Sequence, residues 1–291
     1  MKTIVIIHNL NSRGKNINED YVRELLNKKG IKFHYFQTKQ ISDVDEIIKK
    51  YNNPSEFQYC SIGGDGSLNA LVNSLMKNNI TNPEVSCLPG GSGSDFIRTF
   101  GLPQKIEEAV EHLVFDNFYE VDVGLIKNKT DAKYFINVLN IGFLASTVEV
   151  SEKFPNLFRA FRYPLSFWIK IITARAKEMT ISNDKYEFKG MAFNICVCNA
   201  QYFGGGWNIS PKSSLQDGLF NIQVFAVTKL KAMQIFFLAK KGLHLKESSV
   251  KLKRLSQLTV NSKDPIEIDG DFFGYGPAEI FIKKHAIRFK I

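Results

Sequence analysis

The sequence has few cysteines, and their spacing does not suggest a metal or redox site. Only four occur among 291 residues, at positions 60, 87, 196 and 198, and none forms a C-x-x-C pair. Sparse cysteine of this kind is typical of reduced cytosolic proteins. We therefore expect buried thiols rather than disulfides, and no zinc site.

Long apolar runs are also missing. The apolar start of the chain ends at His8-Asn9, which is too short for the core of a signal peptide. No run approaches the roughly 18 residues of a membrane-spanning helix. We expect a cytoplasmic protein that is at most peripherally attached to the inner face of the membrane.

Acidic residues are outnumbered by basic ones. Lys and Arg total 38 against 29 Asp and Glu, so the formal net charge is +9. This balance favours an anionic partner, which could be a nucleotide, a nucleic acid or an anionic membrane. An aromatic RNA-binding strand motif and a Walker A motif are both absent, which disfavours specific nucleic-acid binding and an ordinary P-loop enzyme.

One glycine-rich stretch stands out against this background. Gly63-Gly64-Asp65-Gly66-Ser67 follows an apolar strand-like run, Phe57 to Cys60, and precedes a helical pattern that starts at Leu68. Glycine lets the backbone approach a phosphate, and the free N–H groups of a helix start point at it. Asp65 suggests a Mg²⁺ ion bridging to the phosphates, or a contact that orients the substrate, although a plain βα turn would use the same residues.

A second glycine cluster lies one βα unit downstream. It runs from Cys87 to Phe96 and includes Gly90, Gly91 and Ser92. Two such loops should lie side by side at the C-terminal edge of a parallel sheet, where open α/β sheets bind ligands.

These stretches resemble the diacylglycerol kinase catalytic-domain family, which includes bacterial diacylglycerol kinases and YegS-like lipid kinases. Residues 63–69 resemble its GGDGT-x-N signature, and residues 89–98 resemble its P-x-GT-x-ND-F-A-R segment. Four more segments resemble family motifs in the same order, at 137–143, 198–206, 210–220 and 268–271.

The alternation of strands and helices predicts a parallel α/β domain over residues 1–122, and strands dominate from there on. The resemblance implies a β-rich, mostly antiparallel second domain at 123–277 and a final strand, about 278–291, that returns to the first. The pattern further predicts single strands over Tyr134–Ile141 and Lys251–Val260, and Ser42 as a helix cap.

The resemblance implies an ATP-dependent lipid kinase with a role in phospholipid biosynthesis. Its cofactors would be ATP and Mg²⁺, and its acceptor would be a lipid alcohol such as diacylglycerol. The residues that would bind the nucleotide are Thr38, Gly63, Gly64, Asp65, Gly66, Ser67, Leu68, Asn69, Gly91 and Ser92.

Three aspartates are candidates for catalysis. Asp271 stands where the family has the glutamate that acts as base, although Asp269-Gly270-Asp271 could also be a plain hairpin turn. Asp65 would serve the metal and phosphates. Asp122 would help to arrange Asp65 or the metal, and its alternative is a solvated hinge residue.

A second metal site is implied at Ser214, Asp217 and Leu219, where bacterial members hold a structural Mg²⁺ or Ca²⁺. Only Asp217 offers a charged ligand, so a metal-free Asp-Gly turn is the alternative.

Basic and aromatic residues alternate between Lys153 and Lys177. Such a stretch could bind an anionic bilayer, or it could be an amphipathic helix packed on the sheet.

Two other functions remain open at this point. One is phosphorylation of a soluble acceptor, as in NAD kinase, and the other is a basic nucleotide- or RNA-binding module without catalysis. The sequence does not specify the acceptor lipid, and it leaves a homodimer open.

Overall fold

The computed structural model describes residues 2–12, 17–90, 94–155 and 161–291. Contacts within the chain divide it into two units. The first comprises Met1–Val123 together with Lys283–Ile291, and the second is Gly124–Ile282.

The first unit alternates strands with helices. Its elements are β1 Thr3–Asn9, α1 Glu19–Lys28, β2 Phe33–Thr38, α2 Ile41–Lys50, β3 Phe57–Gly63, α3 Asp65–Lys77, β4 Glu84–Pro89, α4 Asp95–Thr99 and α5 Ile106–His112. The strands pair in parallel in the order β2-β1-β3-β4. The predicted parallel α/β class is confirmed.

Continuous apolar runs explain why these strands lie inside the sheet. Residues 4–7 of β1 are all buried, and Ile4 and Ile6 share a core cluster with Val22 and Leu26 of α1. A strand covered by helices on both faces has no polar alternation, and this is the pattern that β1 shows.

Strands dominate the second unit. Its elements are β6 Ala132–Phe135, β7 Val138–Gly142, α6 Phe143–Glu152, α7 Arg162–Thr173, β8 Lys177–Asn183, β9 Tyr186–Ala192, β10 Asn194–Cys198, β11 Phe220–Phe225, α8 Lys229–Ala239, β12 Val250–Leu255, β13 Gln257–Val260, β14 Pro265–Ile268 and β15 Asp271–Tyr275. Two long strands, β5 Phe118–Lys127 and β16 Ala278–Lys290, contribute residues to both units.

Antiparallel pairing holds the second unit together, as predicted. One sheet runs in the order β12-β11-β10-β7-β14-β15, and a second layer pairs β9 with β8, β8 with β13, and β13 with β16. Alternate residues of β10 face different cores. Ile195 and Val197 lie in the core shared by both layers, whereas Cys196 and Cys198 lie in the core that contains α6, α7 and α8 residues.

All four cysteines are free thiols. Three are buried as expected, while Cys87 is only partly buried.

Two predicted single strands are each divided in the structure. Tyr134–Ile141 is divided between β6 and β7 because the Asp269 carboxylate accepts the N–H groups of residues 136, 137 and 138, which cannot then serve a ladder. Lys251–Val260 is divided between β12 and β13, which belong to different sheets.

Two further expectations differ from the structure. Ser42 lies inside α2, and the helix is capped two residues earlier by Gln40, whose N–H donates to the Asp43 carboxylate. Helix α6 was not predicted, because its Phe, Thr and Val residues are better strand formers than helix formers.

Close packing at Gly124 yields a stability prediction. A Cβ at Gly124 would lie 2.3 Å from the ring of Phe135, which is fully buried and stacked on Phe220. Because that ring has no room to move, Gly124→Ala should lower the free energy of unfolding by about 1–3 kcal/mol. Urea unfolding measures this.

Gly190→Ala is the matched control, since its Cβ would meet Phe188 at an ordinary 3.5 Å. Equal unfolding free energies for the two variants would contradict the packing argument.

Candidate active site

The parallel strands of the first unit end side by side, and the predicted glycine turns lie at this edge. Asn9 of β1 is in register with Thr38 of β2, and Gly63 of β3 is in register with Pro89 of β4. The Gly90 N–H donates to the Gly63 carbonyl at 2.9 Å. The first and second glycine loops are therefore in direct contact, as their spacing predicts.

Gly63 cannot be replaced without disturbing this edge. Its φ is +157°, and a Cβ there would lie 2.2 Å from Ser67 Oγ. The same hydroxyl accepts a hydrogen bond from Asn9 Nδ2 at 3.0 Å. Gly63 is thus required for the close approach of two chain segments, in addition to any approach by a phosphate.

Helix α3 begins immediately after the turn, with Gly64 as its N-cap and Asp65 as its first residue. The Ser67 N–H donates to the Gly64 carbonyl at 3.0 Å, so the donors that the start of α3 would offer to an anion are the N–H groups of Gly64, Asp65 and Gly66. Leu68 and Asn69 have contacts within the protein, and their predicted role in nucleotide binding stays a prediction. Leu68 is buried in the protein, and Asn69 accepts hydrogen bonds from Asn73.

The Asp65 carboxylate joins the two loops. Its two oxygens accept the N–H groups of Asp95 at 2.9 Å and Phe96 at 2.8 Å, so Asp65 caps the start of α4. The sequence did not reveal these partners. Carboxylate oxygens have further lone pairs, so Asp65 fits a Mg²⁺ ion carried by ATP, whereas the Asp95 side chain is buried and pairs with Arg98.

A cavity of about 110 Å³ lies beside the glycine turn. Thr38 and Ser67, both predicted to bind nucleotide, line it together with Asn9. Ile7, Ile41, Val44 and Ala70 form its apolar wall. The remaining lining residues, Asn11, Lys39 and Gln40, are polar, and a cavity that combines an apolar wall with polar groups is typical of small-molecule sites. Gly91 and Ser92 lie outside the described residues.

Asp122 lies in β5 and is fully buried, so the solvated-hinge alternative is wrong. Its Oδ1 accepts the N–H of His285 at 2.8 Å. The influence of Asp122 on Asp65 or on a metal stays a prediction.

Asp269 and Gly270 form the two-residue turn of the β14–β15 hairpin, with φ values of +50° and +95°. Positive φ at both positions is the mark of a type I′ turn. The Asp269 carboxylate is engaged by three backbone N–H groups, whereas the Asp271 side chain is 62% exposed and lies 3.3 Å from Lys133 Nζ. The three residues do form a hairpin turn, which presents Asp271 to solvent, and the role of Asp271 as base stays a prediction.

Glu267, which the sequence analysis did not single out, is a buried acid near this turn. Burial, with a smaller contribution from Asp269 and Asp271, raises its pKa to about 8. The signal was a charged residue inside the apolar strand Pro265–Ile268.

The predicted second metal site has a competing partner. One Asp217 oxygen forms an ion pair with Arg254, and the other accepts the Leu219 N–H at 2.9 Å. Ser214 Oγ accepts a hydrogen bond from the Gln216 N–H. A metal ion at this turn stays a prediction, and it would have to displace Arg254. Among the described residues no group of three or more His, Cys, Asp or Glu side chains could hold a metal ion.

An apolar pocket of about 280 Å³ lies in the second unit. Helices α7 and α8 contribute most of its lining, and Phe203 and Gly204 come from the family-like segment 198–206. Its aromatic lining is Tyr163, Phe167, Trp168, Phe203, Trp207, Phe236 and Phe237.

Helix α7 is apolar on two faces. Phe167 and Ile171 are buried, which agrees with the packed-helix alternative. On the other face Trp168 is 55% exposed and Ile172 is 73% exposed. Leu157, Phe158 and Arg159 of the basic–aromatic stretch lie outside the described residues. Within the described part of the chain, no helix combines the length and apolarity needed to cross a bilayer.

Comparison with known proteins follows the same division of the chain. The family model for the diacylglycerol kinase catalytic domain matches residues 3–126. The model for the YegS C-terminal NAD kinase beta sandwich-like domain matches residues 137–290. The chain belongs to the diacylglycerol kinase family of lipid kinases.

Relatives of this lipid kinase align along most of its length. It is 25% identical to diacylglycerol kinase of Bacillus subtilis over 96% of this chain and 93% of that protein. It is 26% identical to "Probable lipid kinase YegS" of Escherichia fergusonii over 73% of this chain and 72% of that protein. A diacylglycerol kinase structure from Bacillus anthracis, 17% identical, covers 99% of this chain and 96% of its own with a TM-score of 0.74, which shows the shared fold.

The geometry of the Gly63 turn yields a binding prediction. Gly63→Ala places a methyl group on Ser67 Oγ and should displace the start of α3. We expect the affinity for Mg-ATP to fall by about tenfold or more, as a loss of some 1.4 kcal/mol would produce. Isothermal calorimetry measures it. Gly190→Ala, in β9 of the second unit, is the control, and unchanged Mg-ATP affinity in a folded Gly63→Ala protein would refute the assignment.

Proposed function

We propose that this protein transfers the γ-phosphate of ATP to the hydroxyl of a lipid such as diacylglycerol. The observation that carries the proposal is the meeting of the Gly63 turn, the start of α3 and the Thr38 cavity at one sheet edge. Membership of a lipid kinase family supports the choice of reaction.

The glycine turn would hold the phosphates of ATP. The N–H groups at the start of α3 provide donors for phosphate oxygens, and the cavity lined by Thr38 has an apolar wall that suits a nucleobase. Mg²⁺ bound with ATP would neutralise phosphate charge. Asp65 would face that ion, held in place by the two N–H groups it accepts.

Asp271 would act as the base. Its exposed carboxylate takes the proton of the acceptor hydroxyl, and the resulting oxygen nucleophile attacks the γ-phosphorus. The bond from that phosphorus to the β,γ-bridging oxygen then breaks, and ADP leaves. Lys133 is the ionic partner of Asp271 and leaves it 62% exposed.

The apolar pocket of the second unit favours a lipid over a soluble acceptor. A volume of about 280 Å³ lined mainly by aromatic side chains suits acyl chains. It offers little to the charged groups of a dinucleotide, which an NAD kinase would have to bind.

Transfer of label from γ-labelled ATP tests the proposal. The protein is incubated separately with extracted lipids and with NAD, and the lipid products are separated by thin-layer chromatography. We expect a labelled lipid. Label on NAD with none on lipid would overturn the proposal in favour of the soluble-acceptor function.

The two aspartates of the hairpin turn should respond differently to substitution. Asp271→Asn removes the proton acceptor, so kcat should fall by on the order of 10²–10⁴-fold with little change in ATP binding. Asp271→Glu should keep substantial activity. Asp269→Asn should mainly lower thermal stability, because Asp269 holds three backbone N–H groups.

Asp184→Asn, at an exposed turn, is the matched control for loss of one carboxylate. If the kcat of Asp271→Asn equalled that of the wild type, the base would have to be another residue.

We further propose that the exposed face of α7 and α8 contacts an anionic membrane. This face comprises Phe161, Leu165, Trp168, Ile169, Ile172, Leu230 and Phe237, which are 41–81% exposed. Lys229 donates to the Ile172 carbonyl, so the start of α8 adjoins the end of α7. Large exposed apolar patches mark interaction surfaces, and the net charge of +9 favours an anionic bilayer over a neutral one.

Vesicle sedimentation can test this surface. Ile172→Asp should reduce binding to phosphatidylglycerol vesicles by about tenfold or more, since it removes apolar burial and adds repulsion. Leu252→Asp is the control, because Leu252 is 52% exposed on β12, outside this face. Equal losses of vesicle binding in both variants would argue against the assignment. Wild-type binding that does not depend on salt concentration or vesicle charge would do the same.

A further inference from the structure

Glu267 lies at the end of a buried row of polar side chains. It is paired in register with Asn140 of β7, which is paired with Cys196 of β10. All three are buried, on the face of the sheet opposite Ile266 and Ile268. Buried polar groups are costly unless their hydrogen bonds are satisfied, so the partners of this row are informative.

Each amide in the row has its orientation fixed by the next. Asn194 Oδ1 accepts the Leu144 N–H at 3.0 Å, which turns Asn194 Nδ2 towards Asn140 Oδ1 at 3.1 Å. Cys196 donates to the same Asn140 oxygen at 2.8 Å. Asn140 Nδ2 must therefore face Glu267, and it donates to Glu267 Oε2 at 2.7 Å.

The other oxygen of Glu267 holds the hairpin turn. Glu267 Oε1 accepts the Gly270 N–H at 2.7 Å, and Glu152 Oε1 accepts the Phe272 N–H at 2.9 Å. The two backbone N–H groups on either side of Asp271 are thus each held by a glutamate. Glu267 is buried and fixed by Asn140, whereas the Glu152 contact is exposed.

From these contacts we infer that Glu267 is a positioning residue that fixes the Asp269–Asp271 turn and thereby aims the Asp271 carboxylate. The inference rests on the proposed function, because aiming matters only if Asp271 is the base. Glu267 itself is buried and would not touch a substrate.

The electrostatics agree with a supporting role. Burial is the largest cause of the raised pKa of Glu267, about 8, and the bonds from Asn140 and Gly270 offset part of it. Tyr163, Cys196, Asp269 and Asp271 are the titratable groups that interact with it.

A rescue experiment tests the inference through activity. Glutamine has only one acceptor oxygen. In Glu267→Gln the side-chain NH₂ group would therefore face either the Asn140 Nδ2 donor or the Gly270 N–H, and two donors would oppose each other. We expect kcat with diacylglycerol in detergent micelles to fall by about tenfold, while KM for ATP stays unchanged. Adding Asn140→Asp supplies the missing acceptor and should restore kcat to within about threefold of the wild type.

Glu152→Gln is the matched control, because its amide oxygen can still accept the Phe272 N–H at an exposed position, and its kcat should stay near the wild-type value. If Glu267→Gln lowered only the melting temperature, or if the double variant failed to recover kcat, the positioning role would be overturned.

Hydrogen exchange provides a second test that needs no lipid kinase activity. Glu267→Met removes the acceptor of the Gly270 N–H, so the Gly270 amide should exchange at least about tenfold faster by NMR. An unchanged rate would overturn the inference. A wild-type protein that phosphorylates no lipid would instead refute the proposed function, and the exchange result would still decide how the turn is held. If Glu267→Met does not fold, the comparison of kcat between Glu267→Gln and its double variant with Asn140→Asp tests the inference instead.

Discussion

The candidate active site depends on one carboxylate that accepts two backbone N–H groups. Asp65 begins α3 and caps α4, so it ties the first glycine turn to the loop that follows β4. Charge-assisted bonds of this kind are stronger than neutral ones. They give the Gly63 turn, the start of α3 and the Asp95 segment a fixed mutual geometry, which a phosphate site requires before any ligand arrives.

The second unit repeats this device at its hairpin turn. Asp269 accepts three N–H groups between β6 and β7, and Glu267 accepts the next N–H of its own turn. Both units therefore use acidic side chains to anchor loops that carry the proposed site residues. The two carboxylates differ in how accessible they are to a substrate. Asp271 is largely exposed, whereas both oxygens of Asp65 already accept backbone N–H groups.

Local patterns were enough to predict much of the fold. The apolar runs of β1, β3 and β4 and the glycine turns between strand and helix depend on neighbouring residues, and the structure confirms the parallel α/β class. The break between β12 and β13 could not be predicted. Ser256 separates the two strands, and they belong to different sheets because each pairs with strands that are distant in the sequence. Helix α6 was missed because tertiary packing of Phe143 and Val148 outweighs their weak helix propensity.

The same distinction applies to the site. The glycine pattern pointed to Asp65, and the resemblance to a known family pointed to Thr38 and Asp271, but neither pointed to the partners that hold these residues. Asp65 is 30 residues from Asp95, and Glu267 is 127 residues from Asn140. Contacts at such separations depend on strand order and register, which a single sequence does not supply.

Hydrogen–deuterium exchange with Mg-ATP tests whether the sheet edge at Gly63 is the nucleotide site. On addition of Mg-ATP, we expect slower exchange at the start of α3 and around Thr38 at the end of β2, with little change in β9 or β12. Protection confined to the second unit, in a protein shown by calorimetry to have bound the nucleotide, would contradict it.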